Sequence, residues 1–243
     1  MIGEQFKQTT FVLDRLKDKK NGFYVDFGAF DGIHFSNTMK LEKEYDWKGI
    51  LVEADPQAHD MLRKNRPNSF IDTRAVWKTS GEKLEFVSIA GGKLSGVKKV
   101  MEFGHPKTFT RKRTTYEVET VSLTDLMNTY DAPNHIDFLS IDVEGSELSI
   151  LEGHDFSRTV SIWCIEHWLD YEAIKTIMAD NGYIHFINEA AWWQQMNRCI
   201  ESYFLHPDLV TKDEIKRIQE INAHYENMTP VDPKDFLRKN GFI

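Results

Sequence analysis

Residues 23–32 have the sequence FYVDFGAFDG, in which an apolar run from Phe23 to Phe27 leads directly into a turn with two glycines. A short run rich in aromatic and β-branched residues that ends at a glycine predicts a buried strand. Gly28 and Gly32 permit a tight turn and a close approach of another group to the backbone. Because ligands of open parallel sheets bind beyond the C-terminal ends of the strands, this turn is a candidate binding site.

Short apolar runs alternate with helical patterns along the rest of the chain. This order predicts an α/β fold with a mostly parallel sheet and helices on both faces. We read residues 90–115 as a long loop and the whole chain, 1–243, as one domain with a core over 21–206 and a C-terminal helical extension over 207–243. Strands are predicted at 23–27, 49–53, 70–76, 84–89, 116–121, 136–142, 161–166, 183–187 and 202–205, and helices at 36–45, 56–65, 123–130, 170–181 and 211–225, with a further helix that ends at 151.

The composition places limits on location and partners. Of the 243 residues, 41% are hydrophobic and 28% are charged, as in globular proteins. No apolar run reaches the roughly 18 residues that a membrane span needs, and the first residues lack the apolar core of a secretory signal. The two cysteines cannot form a disulfide framework, so we expect a cytoplasmic protein. The net charge of −8 disfavours general binding of nucleic acid.

Carboxylates surround the first glycine turn. Asp26 and Asp31 suit the amino group of a cationic methionine moiety, whereas a dinucleotide site needs the pattern G-x-G-x-x-G to hold a pyrophosphate on backbone N–H groups. Ala29 stands at the middle glycine of that pattern. The turn therefore disfavours a pyrophosphate, although an ordinary glycine turn without a ligand remains an alternative.

Two further strands are predicted to end in acids. Glu53 lies 25 residues after Gly28, where an acid accepts hydrogen bonds from both ribose hydroxyls of a bound nucleoside. Asp142 and Glu144 precede Gly145 and alternate onto one side of an extended segment. The alternatives are a solvated glutamate at position 53 and, for Glu144, a place in the first turn of a helix, where a negative charge is favourable.

With these residues in place, the sequence resembles the FkbM family of methyltransferases that depend on S-adenosyl-L-methionine (SAM). The matching segments are DFGAFDGIHFSNT (26–38), GILVEADP (49–56), RAVW (74–77) and IDFLSIDVEGSELSILEG (136–153). The family pattern often has Lys where Ser140 stands and Asn where Arg74 stands. The resemblance implies a class I, Rossmann-like, seven-stranded sheet with its last strand antiparallel, and methyl transfer to a hydroxyl of a sugar, a glycan or another small molecule. The cofactor-binding residues that it implies are Asp26, Gly28, Ala29, Asp31, Gly32, Asn37, Glu53, Ala54, Asp72, Ala75 and Asp142.

A hydroxyl acceptor needs a base for its proton. The candidates are Asp142, Glu144, Glu166 and His167 at the strand ends, together with His34 from the first loop. Glu166 and His167 are neighbours on one strand and should face opposite sides of it. We predict His167 as the base, since an imidazole accepts protons near neutral pH with little environmental shift. Mg²⁺ held by Asp142, Glu166 and His167 is an alternative, and we place metal-free catalysis before it.

Other functions on the same kind of sheet remain open at this point. A NAD-dependent oxidoreductase is disfavoured by Ala29, and a non-catalytic domain by the presence of Asp26, Glu53 and Asp142 together. A nucleic-acid methyltransferase is disfavoured by the net charge, but the basic residues within 93–113 favour it. The sequence names neither the acceptor nor the oligomeric state.

Overall fold

The computed structural model describes residues 6–89, 95–101, 112–167, 170–187, 192–193, 198–199 and 201–227. In chain order the strands are β1 (Phe23–Phe27), β2 (Lys48–Val52), β3 (Phe70–Asp72), β4 (Ala75–Val76), β5 (Lys83–Ile89), β6 (Gly96–Val97), β7 (Arg113–Val121), β8 (His135–Ile141), β9 (Thr159–Glu166), β10 (Ile184–Ile187), β11 (Trp192–Trp193), β12 (Arg198–Cys199) and β13 (Glu201–Leu205). The helices are α1 (Gln8–Arg15), α2 (Met39–Tyr45), α3 (His59–Asn65), α4 (Lys98–Met101), α5 (Leu123–Thr129), α6 (Glu147–Glu152), α7 (Tyr171–Asp180) and α8 (Lys212–Asn227).

The main sheet has seven strands in the order β10-β13-β9-β8-β1-β2-β3. The strands β3, β2, β1, β8 and β9 pair in parallel, and β13 is antiparallel to both β9 and β10. The sheet thus confirms the predicted Rossmann-like architecture with an antiparallel last strand. The strand order reverses between β1 and β8, which is where an open α/β sheet forms its ligand crevice.

Helices cover both faces of this sheet, as predicted. On one face, here called the α1 face, Val12 and Leu13 of α1 pack with Leu41, Leu62 and Ile218 from α2, α3 and α8. On the other, the α7 face, buried side chains of α5, α6 and α7 pack against Phe27, Ile141 and Ile165. Strand alternation assigns consecutive residues to opposite faces. Each residue at a strand end can therefore be placed on the α1 face or the α7 face.

A second sheet, in the order β4-β7-β5-β6, interrupts the main alternation. The predicted single strand over 70–76 is wrong, because Arg74 turns the chain by binding Asp72 through its backbone N–H and its guanidinium, so that β3 and β4 enter different sheets. The predicted loop over 90–115 is also wrong within the described residues. Arg113, Thr114 and Thr115 extend β7 along β5, and residues 96–101 form β6 and α4. Residues 90–94 and 102–111 lie outside the described residues.

The terminal helices pack against the sheet. Helix α1 was not predicted from the sequence, yet Val12 is fully buried against the sheet. The predicted C-terminal helix is present as α8, where Asn222 accepts a hydrogen bond from the backbone N–H of Ile187. The division into a core and an extension stays a prediction, and residues 228–243 lie outside the described residues. None of the described helices is both long and apolar enough to cross a membrane.

Candidate active site

The glycine turn after β1 is held against the neighbouring strands. The Gly28 N–H donates to the Val52 carbonyl at 3.0 Å, and the Asp142 N–H donates to the Phe27 carbonyl at 3.3 Å. Gly28 has a φ of +78°, and a Cβ at this position would lie 1.9 Å from the Asp142 carbonyl oxygen. Position 28 therefore requires glycine because of the protein backbone itself, at the point where β1 and β8 diverge.

A fully buried arginine, which the sequence analysis missed, fixes the loop that follows this turn. The Arg66 guanidinium donates to Glu42 Oε2 at 2.8 Å, to Tyr24 Oη at 2.8 Å and to the Gly32 carbonyl at 3.2 Å. Gly32 has a φ of +77°, and a Cβ there would lie 2.6 Å from Arg66 Cγ. The side chain also reaches the Thr38 hydroxyl. Arg66 thus ties the loop between β1 and α2 to the end of α3.

Carboxylates collect on the α1 face of the carboxyl edge of the sheet. Asp26 pairs in register with Ser140 of β8, and Glu166 of β9 pairs with Glu201 of β13. The Asp142 and Glu166 carboxyls lie close enough for each to change the proton affinity of the other. The structure therefore brings together Asp26, Asp142 and Glu166, three of the predicted site residues, with Glu201 as an addition.

Neutral side chains bind this group of acids from the loop after β1. The Thr38 hydroxyl donates to Asp26 Oδ2 at 2.7 Å, and the Asn37 amide donates to Ser140 Oγ at 3.0 Å. Helix α1 closes the same side, because Gln8 donates to Glu201 Oε2 at 2.6 Å and the Thr9 hydroxyl donates to the Asn37 carbonyl at 2.9 Å.

The acids on the α1 face hold their protons more tightly than usual. Burial raises the pKa of Asp26 to about 6, against the opposing effects of the Thr38 hydroxyl and the Arg66 charge. Burial, with the neighbouring charge of Asp26, raises the pKa of Asp142 to about 6. Burial and neighbouring carboxylates raise the pKa values of Glu144 and Glu166 well above their ordinary range. The region has an excess of negative charge, so a bound cation would be stabilised there.

Glu53 follows β2 and accepts two backbone hydrogen bonds. The Phe30 N–H donates to Glu53 Oε2 and the Asp55 N–H to Oε1, both at 2.7 Å. Burial nevertheless raises the pKa of Glu53 to about 7. Each carboxylate oxygen keeps a second acceptor position. Ala54 packs beside it against the core of the second sheet.

Other predicted cofactor residues point elsewhere or are already bonded. Asp31 accepts hydrogen bonds from the backbone N–H groups of Ile33 and His34 and from the His34 ring. Burial acts to raise the pKa of Asp31, but these hydrogen bonds outweigh it and the pKa is lowered. Asp72 pairs in register with Val52 on the α7 face and binds Arg74, with 2.6 Å between Oδ2 and Nη2. Ala75 is buried in the core of the second sheet.

The loop between β8 and α6 brings in one more acid. Glu144 has a φ of +57° and is partly exposed. Glu147, which the sequence analysis did not select, is buried and accepts a hydrogen bond from the Gly145 N–H at 3.0 Å. Burial raises the pKa of Glu147 to about 7. The IDVEG-x-E segment contains this glutamate and could have indicated it.

His167 lies on the opposite side of β9 from Glu166. Its side chain is buried, its Nε2 is 2.9 Å from Ser202 Oγ, and its ring stacks on Tyr171 with 4.9 Å between centroids. Ser202 Oγ is also 2.9 Å from His185 Nε2. The structure therefore does not bring His167 together with Asp142 and Glu166, since strand alternation turns it to the α7 face.

The chemistry of the site fits a cationic cofactor. Asn37 Oδ1 is buried without a hydrogen-bond partner, next to the Asp26 and Ser140 pair, so it can accept from an N–H group. The nearby carboxylates suit an ammonium or a sulfonium. No group of three or more His, Cys, Asp or Glu side chains among the described residues has the arrangement of a metal site.

The fold and the carboxyl edge of the sheet define a class I SAM-dependent methyltransferase. A glycine turn follows β1, and acids lie at the ends of β1, β2 and β8. The chain belongs to the FkbM methyltransferase family, since the methyltransferase FkbM domain matches residues 26–185. SAM is therefore its cofactor. The chain is a methyltransferase and not the NAD-dependent oxidoreductase that was considered as an alternative. No curated protein matches the chain significantly.

Several solved structures are similar in fold. A precorrin-6y C5,15-methyltransferase from Geobacter metallireducens GS-15 has a TM-score of 0.42 and 12% identity, covering 74% of this chain and 72% of that one. The METTL16 MTase domain has a TM-score of 0.41 and 10% identity, covering 81% and 64%. A SAM-dependent methyltransferase from Aquifex aeolicus has a TM-score of 0.38 and 12% identity, covering 81% and 88%. Similarity at this level says nothing about the acceptor.

Proposed function

We propose that this methyltransferase is an O-methyltransferase that acts on a hydroxyl of a sugar, a glycan or another small molecule. The observation that supports the proposal is the pair of neighbouring, interacting carboxyls Asp142 and Glu166 at the carboxyl edge of the sheet. Both side chains are partly exposed, so an acceptor can reach them. A hydroxyl is a poor nucleophile until a base takes its proton, and a pair of carboxyls supplies that base.

Residues on both sides of the crevice would hold the cofactor. Glu53 would accept hydrogen bonds from the ribose hydroxyls of SAM. Asp26 and Asn37 Oδ1 would accept hydrogen bonds from its amino group. The backbone of Gly28 and Ala29 borders the same crevice, and Asp142 closes it. When bound, SAM supplies an electrophilic methyl group on its sulfonium. Cofactor binding stays a prediction for five further residues, whose contacts support it less than those of Glu53 and Asp26. These residues are Asp31, Gly32, Ala54, Asp72 and Ala75.

The proposed base works as a pair. Two interacting carboxyls release their protons in two separate steps, so one of them can be ionised and accept a proton while the other stays protonated. Burial and the neighbouring carboxylates raise the pKa of Glu166 well above its ordinary range, so its ionised form is a stronger base than an ordinary glutamate. Glu144 is a further carboxyl whose charge acts on Glu166. The base role first predicted for His167 remains a competing hypothesis, and its position on the α7 face argues against it.

The electrostatics favour a small acceptor over a nucleic acid. Nucleic-acid binding depends on Lys and Arg contacts with phosphates, whereas this edge of the sheet is lined by Asp26, Asp142, Glu144 and Glu166. Within the basic segment 93–113, only Lys98, Lys99, Lys112 and Arg113 are described, and Lys98 pairs with Glu85. The acidic edge is compatible with neutral polyhydroxylated acceptors. A cytoplasmic location remains part of the proposal, in keeping with Cys164 as a buried free thiol.

The test is a search for the methylated product. The protein is incubated with methyl-labelled SAM and a panel of extracted glycans, sugars and small metabolites, with an RNA and a DNA sample as further arms. We expect label on an oxygen of a small hydroxylated molecule, identified by mass spectrometry, and no label with Glu166→Gln. Label on a nitrogen or a carbon, or on nucleic acid alone, would overturn the proposal.

A further inference from the structure

The fully buried side chain of Asp55 links the second sheet to the carboxyl edge of the main sheet. Asp55 is 0% exposed, and its Oδ2 accepts hydrogen bonds from Ser88 Oγ at 2.6 Å and from Ser95 Oγ at 3.0 Å. Its Oδ1 accepts from the Gln57 N–H at 3.0 Å. Ser95 in turn accepts from the Ile89 N–H, so both ends of the connection from β5 to β6 are tied to one side chain.

The same residue is bonded directly to the acid after β2. The Asp55 N–H donates to Glu53 Oε1 at 2.7 Å. Through Asp55, the hydroxyls of Ser88 and Ser95 are connected to Glu53 by two hydrogen bonds in series. A shift of Ser95 would displace the Asp55 carboxylate, and with it the N–H that orients Glu53.

The chain beyond Ser95 reaches the other side of the crevice. Residues 95–101, here called the bridging segment, start at Asp55 beyond β2 and end in α4. Val100 of α4 lies against the loop after β8, because a Cβ on Gly145 would be 3.5 Å from Val100 Cβ. Strands β2 and β8 flank β1 in the sheet, so the bridging segment spans the carboxyl end of β1, where the glycine turn lies.

We propose that Asp55 is a positioning residue that couples cofactor binding at Glu53 to the closure of the bridging segment over the crevice. The inference rests on the proposed role of Glu53 in holding the ribose. In this arrangement the bridging segment, which would face the acceptor, is held in place by the same hydrogen bonds that orient Glu53. Loss of the hydroxyl of Ser88 or Ser95 therefore weakens cofactor binding, although neither serine is hydrogen-bonded directly to Glu53.

Hydrogen–deuterium exchange on the full chain tests the coupling, with S-adenosylhomocysteine as the probe and calorimetry for its affinity. In the wild type, saturating probe should slow exchange about tenfold or more in peptides covering residues 95–101, as well as in those covering 26–32 and 53–55. Ser95→Ala should lose most of the slowing at 95–101 and weaken probe binding by roughly threefold to tenfold, as expected for one lost hydrogen bond. The slowing at 26–32 should persist once the probe is again saturating.

The controls separate the two proposals. Ser161→Ala removes a buried hydroxyl that is bonded to His135 at the amino end of β9, and should leave exchange and affinity as in the wild type. Asp55→Asn should repeat the Ser95→Ala result more strongly. Unchanged exchange at 95–101 on probe binding, with slowing at 53–55, would overturn the coupling alone. Wild-type affinity in Glu53→Gln would overturn the role of Glu53, and the coupling with it.

Discussion

Glu166 and His167 are neighbours in sequence at the end of β9, yet they belong to opposite faces of the sheet. Glu166 lies on the α1 face, where it interacts with Asp142 among carboxyls with raised pKa values. His167 lies on the α7 face, where Ser202 Oγ sits between it and His185. Burial, together with the charge of Lys175, lowers the pKa of His185 to about 3.

The difference shows how strand alternation sorts titratable groups at the edge of a sheet. The α1 face has gathered carboxyls with raised pKa values at its carboxyl edge, where the Thr38 hydroxyl and the Arg66 charge oppose the effect of burial on Asp26. The α7 face has gathered imidazoles that are bonded to neutral groups. Groups with strongly perturbed pKa values in a crevice are candidates for function, and the α1 face has them together with access for a ligand.

The largest expected effect separates the two faces by catalysis. Glu166→Gln should lower kcat by about 10²–10⁴, because a positioned general base contributes that much. His167→Gln keeps a hydrogen-bonding side chain next to Ser202 and should lower kcat by less than about tenfold. The measurement is single-turnover methyl transfer with the acceptor found in the product search, with S-adenosylhomocysteine affinity measured in parallel. A large loss in the His167 variant with near-normal kcat in the Glu166 variant would reverse the assignment.

The sequence alone predicted the main sheet because each of its strands is a short apolar run with a turn residue or an acid at its end. It did not predict the second sheet, since β7 begins in the polar residues Arg113, Thr114 and Thr115, and their pairing with β5 is a long-range contact. The acids Asp26, Glu53 and Asp142 were selected as candidates from their position at strand ends, and their roles stay predictions. The sequence could predict that Glu166 and His167 face opposite sides, but not which side holds the crevice.

The second effect tests what holds the α1 face together. Arg66→Met would leave Glu42 without its cation, and removal of one partner of a buried ion pair costs about 3–5 kcal/mol in the free energy of unfolding. The double variant Arg66→Met/Glu42→Leu should recover much of that loss, because no unpaired charge remains. Urea unfolding measures both. Arg63→Met in helix α3, which ends just before Arg66, is the control. Arg63 is exposed and its pairing with Asp60 spans 4.0 Å, so its effect should be small.

The third effect compares two acids that were both predicted to bind the cofactor. Glu53→Gln should weaken S-adenosylhomocysteine binding by about 1.5–3 kcal/mol, the value of hydrogen bonds to a charged group. Asp72→Asn should change it far less, because Asp72 lies on the α7 face and binds Arg74. Calorimetry decides, and an equal loss in both variants would show that the site extends beyond the α1 face.

The smallest effect is a pair of opposite slopes in the dependence of stability on pH. An acid whose pKa is raised by folding keeps its proton longer in the folded state, so its contribution to stability is present at low pH and is lost as pH rises. For Asp26 the loss falls between about pH 4 and 6, from its ordinary pKa to its folded value. A histidine whose pKa is lowered by folding behaves in the opposite way. For His185 the contribution is present above about pH 6.5 and is lost as pH falls toward 3.

Each proton taken up or released on unfolding contributes at most about 1.4 kcal/mol per pH unit, and less where solvent screens the group. Relative to the wild type, Asp26→Asn should therefore gain stability as pH rises from 4 to 6, because the variant has no carboxylate to ionise at that buried position. His185→Gln should lose stability relative to the wild type over the same interval, since the wild type alone gains from keeping a neutral imidazole. Urea unfolding at a series of pH values between 4 and 8 gives both differences. If both curves run parallel to that of the wild type, the two faces do not differ in their proton affinity, and the contrast between them rests on geometry alone.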